Sequence, residues 1–308
     1  NELGGEGMGL YQLVLAVYSL FVTLATAGVS VAATRLMAEE LSGPASAHGA
    51  ARGMLRRLLA AGLVLGLFAA ALQLATADLA ARLWLGDVRA VGALRVSALG
   101  MPWMAVSAVL RGFFIARRHV APNVFSQLTE QTVRIALVAL ALTRTEGLAV
   151  GVRCMLVLGA TAVSEAVSAL CMLAFYRRDA RSAFAGQKAV RPADPARRLW
   201  EILWPVEGGR VLASALHTAE NMLVPACLAV YLAKAGGRSA ALEQYGVLKG
   251  MALPLLTFPF GLLGSLSVLL MPEITQAHIL GQTKRLNALL NRMLRLTGYF
   301  SALAGTLF

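Results

Sequence analysis

The stretch LYQLVLAVYSLFVTLATAGVSVAAT, residues 10–34, contains no charged side chain. A helix needs about 20 apolar residues to cross the hydrocarbon core of a bilayer, and this stretch is long enough. Comparable stretches cover residues 54–77, 90–115, 121–143, 149–175, 202–231, 245–271 and 286–308. They are too long for barrel strands and lack the alternation of polar and apolar residues that such strands show. The sequence therefore predicts an all-α, polytopic transmembrane bundle of about eight helices.

The composition of the 308-residue chain supports the same fold class. Hydrophobic residues make up 58% of it and charged residues 14%, and the mean hydropathy is +0.67. Because soluble domains carry about 25% charged residues, this composition excludes most soluble enzymes. The net charge of +12 could suit nucleic acid, but the basic residues are dispersed between apolar runs. We therefore expect membrane lipids, and not nucleic acid, around this chain.

The placement of Lys and Arg predicts how the helices are oriented. The larger group of basic residues lies in segments 35–57, 111–118, 177–198 and 284–295. A smaller group lies at the opposite helix ends, in segments 82–95, 144–153 and 234–249. Cytoplasmic loops carry the excess of Lys and Arg, so the first group is predicted to be cytoplasmic. Residues 1–9 would then lie outside, and we expect one further helix before them.

The longest polar connection divides the predicted helices into two lobes. We predict an N-terminal lobe over residues 1–190 together with a cytoplasmic linker at 176–200, and the start of a C-terminal lobe over residues 201–308. A faint repeat supports two parallel halves, since an ungapped shift superposes Tyr11 on Tyr245 and Thr23 on Thr257.

Two of the predicted helices carry polar residues on one face. The face of segment 121–143 consists of Gln127, Glu130, Gln131 and Arg134. The face of segment 149–175 consists of Thr161, Ser164, Glu165 and Ser168. Glu130 and Arg134 either neutralise each other against another helix or form the polar wall of a water-filled cavity. Glu165 either pairs with Arg134 or Arg210, or binds a coupling cation.

The segment 202–231 has the most extended polar face. Its members are Glu207, Arg210, Ser214, His217, Thr218 and Asn221, and Glu220 lies just outside it. Polar groups inside a bilayer are costly, so such a face predicts the lining of a substrate cavity. We predict that this face lies opposite the Gln127–Arg134 face across a cleft. Glu165 and Glu220 are the candidates for ion coupling.

Motifs of catalysis are absent from the sequence. It has no Gly-rich phosphate loop, no HExxH and no CxxC. We therefore expect a protein that is not an enzyme and that has no cofactor and no metal site.

Three stretches together resemble one family. They are GEGMGLYQLVLAVYSLFVTLATAGVSVAATRLMAEE (residues 5–40), the P-x-E-x-x-R helix that runs from Pro205 through NMLVPACL, and YGVLKGMALPLLTFPFGLLGSLSVLLMPEITQA (residues 245–277). Their sequence and spacing resemble the stage V sporulation protein B family. Its members are polysaccharide-biosynthesis transporters of the multidrug/oligosaccharidyl-lipid/polysaccharide flippase superfamily.

The resemblance implies a two-lobed fold like that of the multidrug and toxic compound extrusion (MATE) transporters. Residues 1–190 would hold helices two to six of the family plan, and residues 201–308 helices seven to nine. It also implies that the protein flips a lipid-linked oligosaccharide or a peptidoglycan precursor across a bacterial plasma membrane by alternating access, for cell-wall, spore-cortex or polysaccharide biosynthesis. The isoprenoid-pyrophosphate sugar would contact Arg134 and Arg210, and H⁺ or Na⁺ is the expected coupling cation. The alternative is a multidrug/cation antiporter of the same superfamily.

Overall fold

The computed structural model describes residues 4–41, 48–143, 149–183, 195–233, 237–257, 261 and 282–307. Every regular element within these ranges is a helix, which confirms the predicted all-α class. The chain divides into two compact units, residues 1–244 and residues 245–308. The first unit continues past the linker at which the sequence suggests a lobe boundary, so the assignment of two lobes stays a prediction.

The helices are numbered here in chain order. The first four are α1 (Gly4–Leu41), α2 (His48–Leu79, extended by a π-helical turn at Ala80–Trp84), α3 (Ala90–Ala98) and α4 (Met101–Ala116). The next three are α5 (Ala121–Thr143), α6 (Val150–Ala183) and α7 (Pro195–Tyr231). The last two are α8 (Gly237–Val247, followed by a π-helical segment at Leu248–Ala252) and α9 (Thr283–Leu307).

Four helices of the described chain are long and apolar enough to cross a membrane, namely α1, α2, α6 and α7. The predicted span 90–115 is a fifth if α3 and α4 count together, but it bends by 42° between them. Pro102 stands in the first turn of α4, where its missing N–H leaves no helical hydrogen bond unmade. The bend between α3 and α4 therefore falls at a position where Pro102 costs no helical hydrogen bond.

Three predicted spans are not among these helices, namely 121–143, 245–271 and 286–308. The helix α5 falls outside the apolar set because its polar face lowers its hydropathy, and α9 does so because of residues such as Lys284, Arg292 and Arg295. Most of the predicted span 245–271 lies outside the described residues. The predicted linker 176–200 is helical at both ends, since α6 continues to Ala183 and α7 begins at Pro195.

The helix α1 lies at the centre of the first unit, where it packs against α2, α4 and α7. Phe113 and Phe114 of α4 are fully buried in the core, together with Leu36 and Met37 of α1. Close approach of α2 to α4 depends on glycine, because a Cβ on Gly66 would lie 2.8 Å from Cβ of Ala105. This packing brings the polar residues of α4 toward α5 and α6.

Candidate functional site

An ionic network joins α4, α5 and α6. Glu130 of α5 accepts hydrogen bonds from Arg111 of α4 at 3.0 Å and from Arg134 at 2.7 Å. Arg134 also donates to Glu165 of α6 at 3.0 Å, so one guanidinium bridges two carboxylates. Of the alternatives open for Glu165, pairing with Arg134 is therefore the one that the structure contains. We call these four residues the ionic network, and its two arginines and two glutamates leave it without net charge.

Two hydroxyl groups of α6 lie beside the ionic network. Arg134 Nε lies 3.4 Å from the Ser164 hydroxyl, and an Arg111 Nη lies 3.5 Å from the Ser168 hydroxyl. The Ser168 hydroxyl also donates to the backbone carbonyl of Ser126 at 3.4 Å. These hydroxyl groups can share hydrogen bonds with the charged guanidinium groups.

Burial differs between the acids and the bases of the ionic network. The side chains of Glu130 and Glu165 are 9% and 7% exposed, whereas those of Arg111 and Arg134 are 34% and 28% exposed. Nε of Arg111 is buried and has no hydrogen-bond partner among the described residues. The buried carboxylates thus anchor the guanidinium groups, and the arginine side chains are more exposed than their acidic partners. A partly exposed arginine fork can bind an anion such as a phosphate.

The rest of the predicted α5 face lies at the edge of the network. Gln127 and Gln131 are exposed, and Thr161 of α6 is half-buried. Arg111 is the member that the sequence pattern did not reveal, since its position groups it with the cytoplasmic basic residues. It lies within α4, before the apolar residues Phe113 and Phe114. This position inside an apolar helix is the feature of the sequence that could have identified Arg111 as a member.

The polar face of α7 packs mainly against α1. The Thr218 hydroxyl lies 3.0 Å from the carbonyl oxygen of Ala16, and the Thr23 hydroxyl lies 3.3 Å from that of Ser214. Glu207 accepts a hydrogen bond of 2.5 Å from the backbone N–H of Gly28. A Cβ at position 28 would overlap Oε2 of Glu207, so glycine permits this approach. We call these contacts between α1 and α7, at Ala16, Thr23 and Gly28 of α1 and at Thr218, Ser214 and Glu207 of α7, the α1–α7 seam.

Other members of the α7 face lie beside the seam. Asn221 is buried, whereas Arg210, His217 and Glu220 are exposed. His217 Nδ1 lies 3.3 Å from a carboxylate oxygen of Glu220. Within the described chain Arg210 forms no ion pair with Glu207, and Oε1 of Glu207 is buried without a hydrogen-bond partner.

The hydrogen bonds of the two predicted faces run to different helices. Those of the α5 face reach α4 and α6, and those of the α7 face reach α1. The expected arrangement of the two faces across an open cleft is therefore not the arrangement in this structure. The Thr218 hydroxyl lies 2.8 Å from the carbonyl oxygen of Ser214 in its own helix as well as 3.0 Å from that of Ala16, and a helix-wheel argument on α7 alone could not reveal the contact with α1.

Ion pairs lie at both ends of the α1–α7 seam. At one end Arg198 of α7 contacts Glu39 at 3.0 Å and Glu40 at 2.5 Å. At the other end Arg89 contacts Glu6 at 2.8 Å, and Ser239 of α8 donates to Glu6 at 3.2 Å. Each group joins segments that the charge pattern places on one side of the membrane. Which side faces the cytoplasm stays a prediction.

Arg89 also pairs with Asp87 in the connection between α2 and α3, at 2.7 Å. Burial favours the protonated form of Asp87, but hydrogen bonds from the Arg89 side chain and backbone, with its charge, outweigh this and hold the Asp87 pKa below its ordinary value. Hydrogen bonds with Asp87 and then with Glu6 raise the pKa of Arg89. Both groups therefore stay charged at neutral pH.

A family model described as "Polysaccharide biosynthesis protein" matches residues 1–232. The chain belongs to this family. It is 30% identical over 279 residues to Stage V sporulation protein B of Bacillus subtilis (strain 168), covering 89% of this chain and 52% of that protein. It is 25% identical over 289 residues to Sporulation protein YkvU of the same strain, covering 92% of this chain and 61% of that protein. The family suggested by the sequence motifs is thereby confirmed.

A solved structure supports the fold independently. The inward-facing conformation of a multidrug resistance MATE family transporter of the MOP superfamily superposes with a TM-score of 0.69 at 13% identity. The superposition covers 97% of this chain and 64% of that one. The MATE-like fold and the multi-pass membrane location predicted from the sequence are confirmed. The chain spans about half to three fifths of the length of the two B. subtilis relatives.

Proposed function

We propose that this chain is part of a membrane transporter that flips an isoprenoid-pyrophosphate sugar across the plasma membrane of a bacterium. The observation that carries the proposal is the pair of arginines Arg111 and Arg134, whose side chains are partly exposed and whose guanidinium groups are fixed by two buried carboxylates. A guanidinium keeps its charge in a dry site and donates two parallel hydrogen bonds to a phosphate. Membership of the polysaccharide biosynthesis family supports a lipid-linked sugar as the substrate, and transport as the activity in place of catalysis.

An apolar cleft of about 720 Å³ beside the network supports an amphiphilic substrate. It lies between α3, α4, α5 and α6, and its lining includes Leu99, Trp103, Leu137 and Val163. Leu137 is one turn along α5 from Arg134, and Val163 precedes Ser164 of the network. We infer that the pyrophosphate binds at the arginines while the isoprenoid chain lies in or near this cleft.

The α7 face contributes in a second conformation. Its neutral hydroxyl groups bond to α1 here, and such bonds exchange for bonds to water at little net cost. Separation of α7 from α1 would expose Ser214, Thr218 and Asn221 beside Arg210. We infer that these residues line the substrate path during alternating access. Gln127, Gln131 and His217 would complete its polar surface.

A multidrug/cation antiporter is the second candidate. It is favoured by Glu207, which has one buried carboxylate oxygen without a partner among the described residues. Such an oxygen is suited to binding H⁺ or Na⁺ during a transport cycle. Glu165 and Glu220 are further candidates for coupling, although each already contacts a basic side chain.

Reconstitution of the full-length protein in liposomes tests both candidates. Flipping of a labelled isoprenoid-pyrophosphate sugar would be compared with efflux of a cationic dye. The double variant Arg134→Gln with Glu165→Gln keeps the network neutral but removes one fork, and we expect it to reduce flipping at least tenfold. Undiminished flipping by this variant would exclude Arg134 from the substrate site. Dye efflux without any lipid flipping would establish the antiporter.

A further inference from the structure

A second cavity, of about 490 Å³, lies at the turn between α4 and α5, beside the last turns of α6. Its lining includes Phe114, His119, Pro122, Phe125, Phe175 and Arg178. None of these residues belongs to the ionic network or to the α1–α7 seam. The cavity thus calls for an explanation separate from the transport path.

One part of this cavity is aromatic and lies beside exposed apolar side chains. The rings of Phe125 and Phe175 lie 6.3 Å apart, and Phe114 is fully buried behind them. Phe125 is exposed, as are its neighbours Val120 and Val124. An exposed apolar surface on a membrane helix is suited to contact with an acyl chain.

The other part of the cavity carries positive charge. Arg178 is exposed and has no ion-pair partner among the described residues. The acid in the lining, Asp179, is already paired with Arg117. The helix α5 begins at Ala121 in the same cavity, so the positive end of its dipole adds to the charge of Arg178. The cavity therefore complements an anion.

We infer that the cavity lies near the boundary between hydrocarbon and headgroups. The helices of membrane-spanning length and composition that include α4 and α6 end at Ala116 and Asp179, beside the residues of the lining. At this level an aromatic wall meets the acyl region and a basic side chain meets the phosphates.

We propose that this cavity binds one anionic glycerophospholipid, with the phosphate at Arg178 and the start of an acyl chain between Phe125 and Phe175. The bound lipid belongs to the leaflet on this side of the membrane, which the charge pattern predicts to be cytoplasmic. It is a resident of the protein surface and differs from the transported substrate, so this site does not depend on the proposed function.

Native mass spectrometry of the full-length protein, titrated with phosphatidylglycerol and separately with phosphatidylcholine, tests the site. We expect one tightly retained phosphatidylglycerol molecule, and about tenfold weaker retention in Arg178→Gln, because one charge-assisted contact to phosphate is lost. The matched control is Arg177→Gln, which makes the same charge change at an adjacent exposed residue outside the lining. It should stay within about twofold of the wild type.

A second variant tests the cavity without altering charge. Ala121→Trp places a large ring in the space that the lipid would occupy, and it should lower retention as much as Arg178→Gln does. Equal losses in Arg177→Gln and Arg178→Gln would overturn the proposal in favour of general surface charge. Retention of phosphatidylcholine equal to that of phosphatidylglycerol, or full retention by Ala121→Trp, would overturn it as well.

Discussion

The ionic network and the α1–α7 seam hold helices together by different means. The network buries full charges, with Glu130 and Glu165 each bound to an arginine. The middle of the seam has hydrogen bonds in place of ion pairs: the Thr218 hydroxyl lies on the carbonyl of Ala16, and Glu207 accepts from the backbone N–H of Gly28. Separating buried opposite charges is costly, whereas neutral hydrogen bonds are replaced by water at small net cost. We therefore expect α4, α5 and α6 to move as one body, and relative motion to occur along α1 and α7.

Removal of Arg134 should have the largest effect on stability. Arg134→Ala leaves Glu130 and Glu165 close together in a buried site, and loss of one partner of a buried ion pair costs about 3–5 kcal/mol. We expect a strongly lowered thermal unfolding midpoint in detergent. Adding Glu165→Gln should recover part of the loss, because fewer unpaired charges remain.

The control for this experiment is Arg210→Ala. Arg210 is exposed and lacks an ion pair among the described residues, so its removal should change stability by less than about 0.5 kcal/mol. Equal destabilisation by Arg134→Ala and Arg210→Ala would show that the network is not what fixes α4 to α6.

The seam should respond to a single methyl group at Gly28. In Gly28→Ala the new Cβ would overlap Oε2 of Glu207 and lie 3.3 Å from Cγ of Leu203, so α7 must shift or Glu207 must turn away. Overpacking of this kind costs about 1–3 kcal/mol. The expected result is a lower unfolding midpoint and faster labelling of a cysteine placed at Ser214.

Gly208→Ala serves as the matched control, since nothing lies within 4 Å of a Cβ built there. Alanine at this exposed helix position should be neutral or stabilising by up to about 1 kcal/mol. If both glycine variants behave alike, the close approach of α1 to α7 in this region is not required.

The sequence predicted these two regions with different success. Glu130 and Arg134 are four residues apart on one helix, so their ion pair follows from helix geometry alone. Glu165 and Arg111 joined them through tertiary packing, and for Glu165 the charge balance allowed several partners. Arg111 was missed because a basic residue near the end of an apolar run resembles those that set topology.

For the α7 face, the sequence pattern identified the polar residues but not what surrounds them. Its periodicity places six polar residues on one face, of which Glu207, Thr218 and Asn221 are buried, whereas Arg210 and His217 are exposed. The pattern could not determine whether that face meets water or another helix, because a hydroxyl group is satisfied in either setting. A backbone carbonyl of α1, at Ala16, is the partner that no residue-type pattern reveals.

Neutral bonds of the seam should each contribute little. Thr218→Val keeps the shape of the side chain and removes its hydrogen bond to Ala16, at a cost of about 1 kcal/mol. We expect a small fall in the unfolding midpoint of the purified protein. A loss as large as that of Arg134→Ala would contradict the contrast between the seam and the ionic network.

The smallest effect is expected at the end of the seam, where Asp87, Arg89 and Glu6 meet. Because the folded-state pKa of Asp87 lies below its ordinary value of 3.8, the carboxylate stabilises the folded state above that pH. This contribution is lost as the pH falls through the folded-state pKa. Arg89 is partly exposed, so the pair should contribute less than about 1 kcal/mol.

Comparison of the wild type with Asp87→Asn isolates this contribution, since all other acids titrate in both proteins. The wild type should unfold at a slightly higher temperature at neutral pH, and the difference should shrink as the pH is lowered below about 4. Asp78→Asn is the control, because the ion pair of Asp78 with Arg95 is exposed on both sides and joins α2 only to α3. A difference that stays constant with pH would mean that Asp87 acts through its hydrogen bonds to Arg89 and not through its charge. A difference that grows in acid would contradict the lowered pKa and, with it, the view that this end of the seam is held by ion pairs while its middle is held by hydrogen bonds.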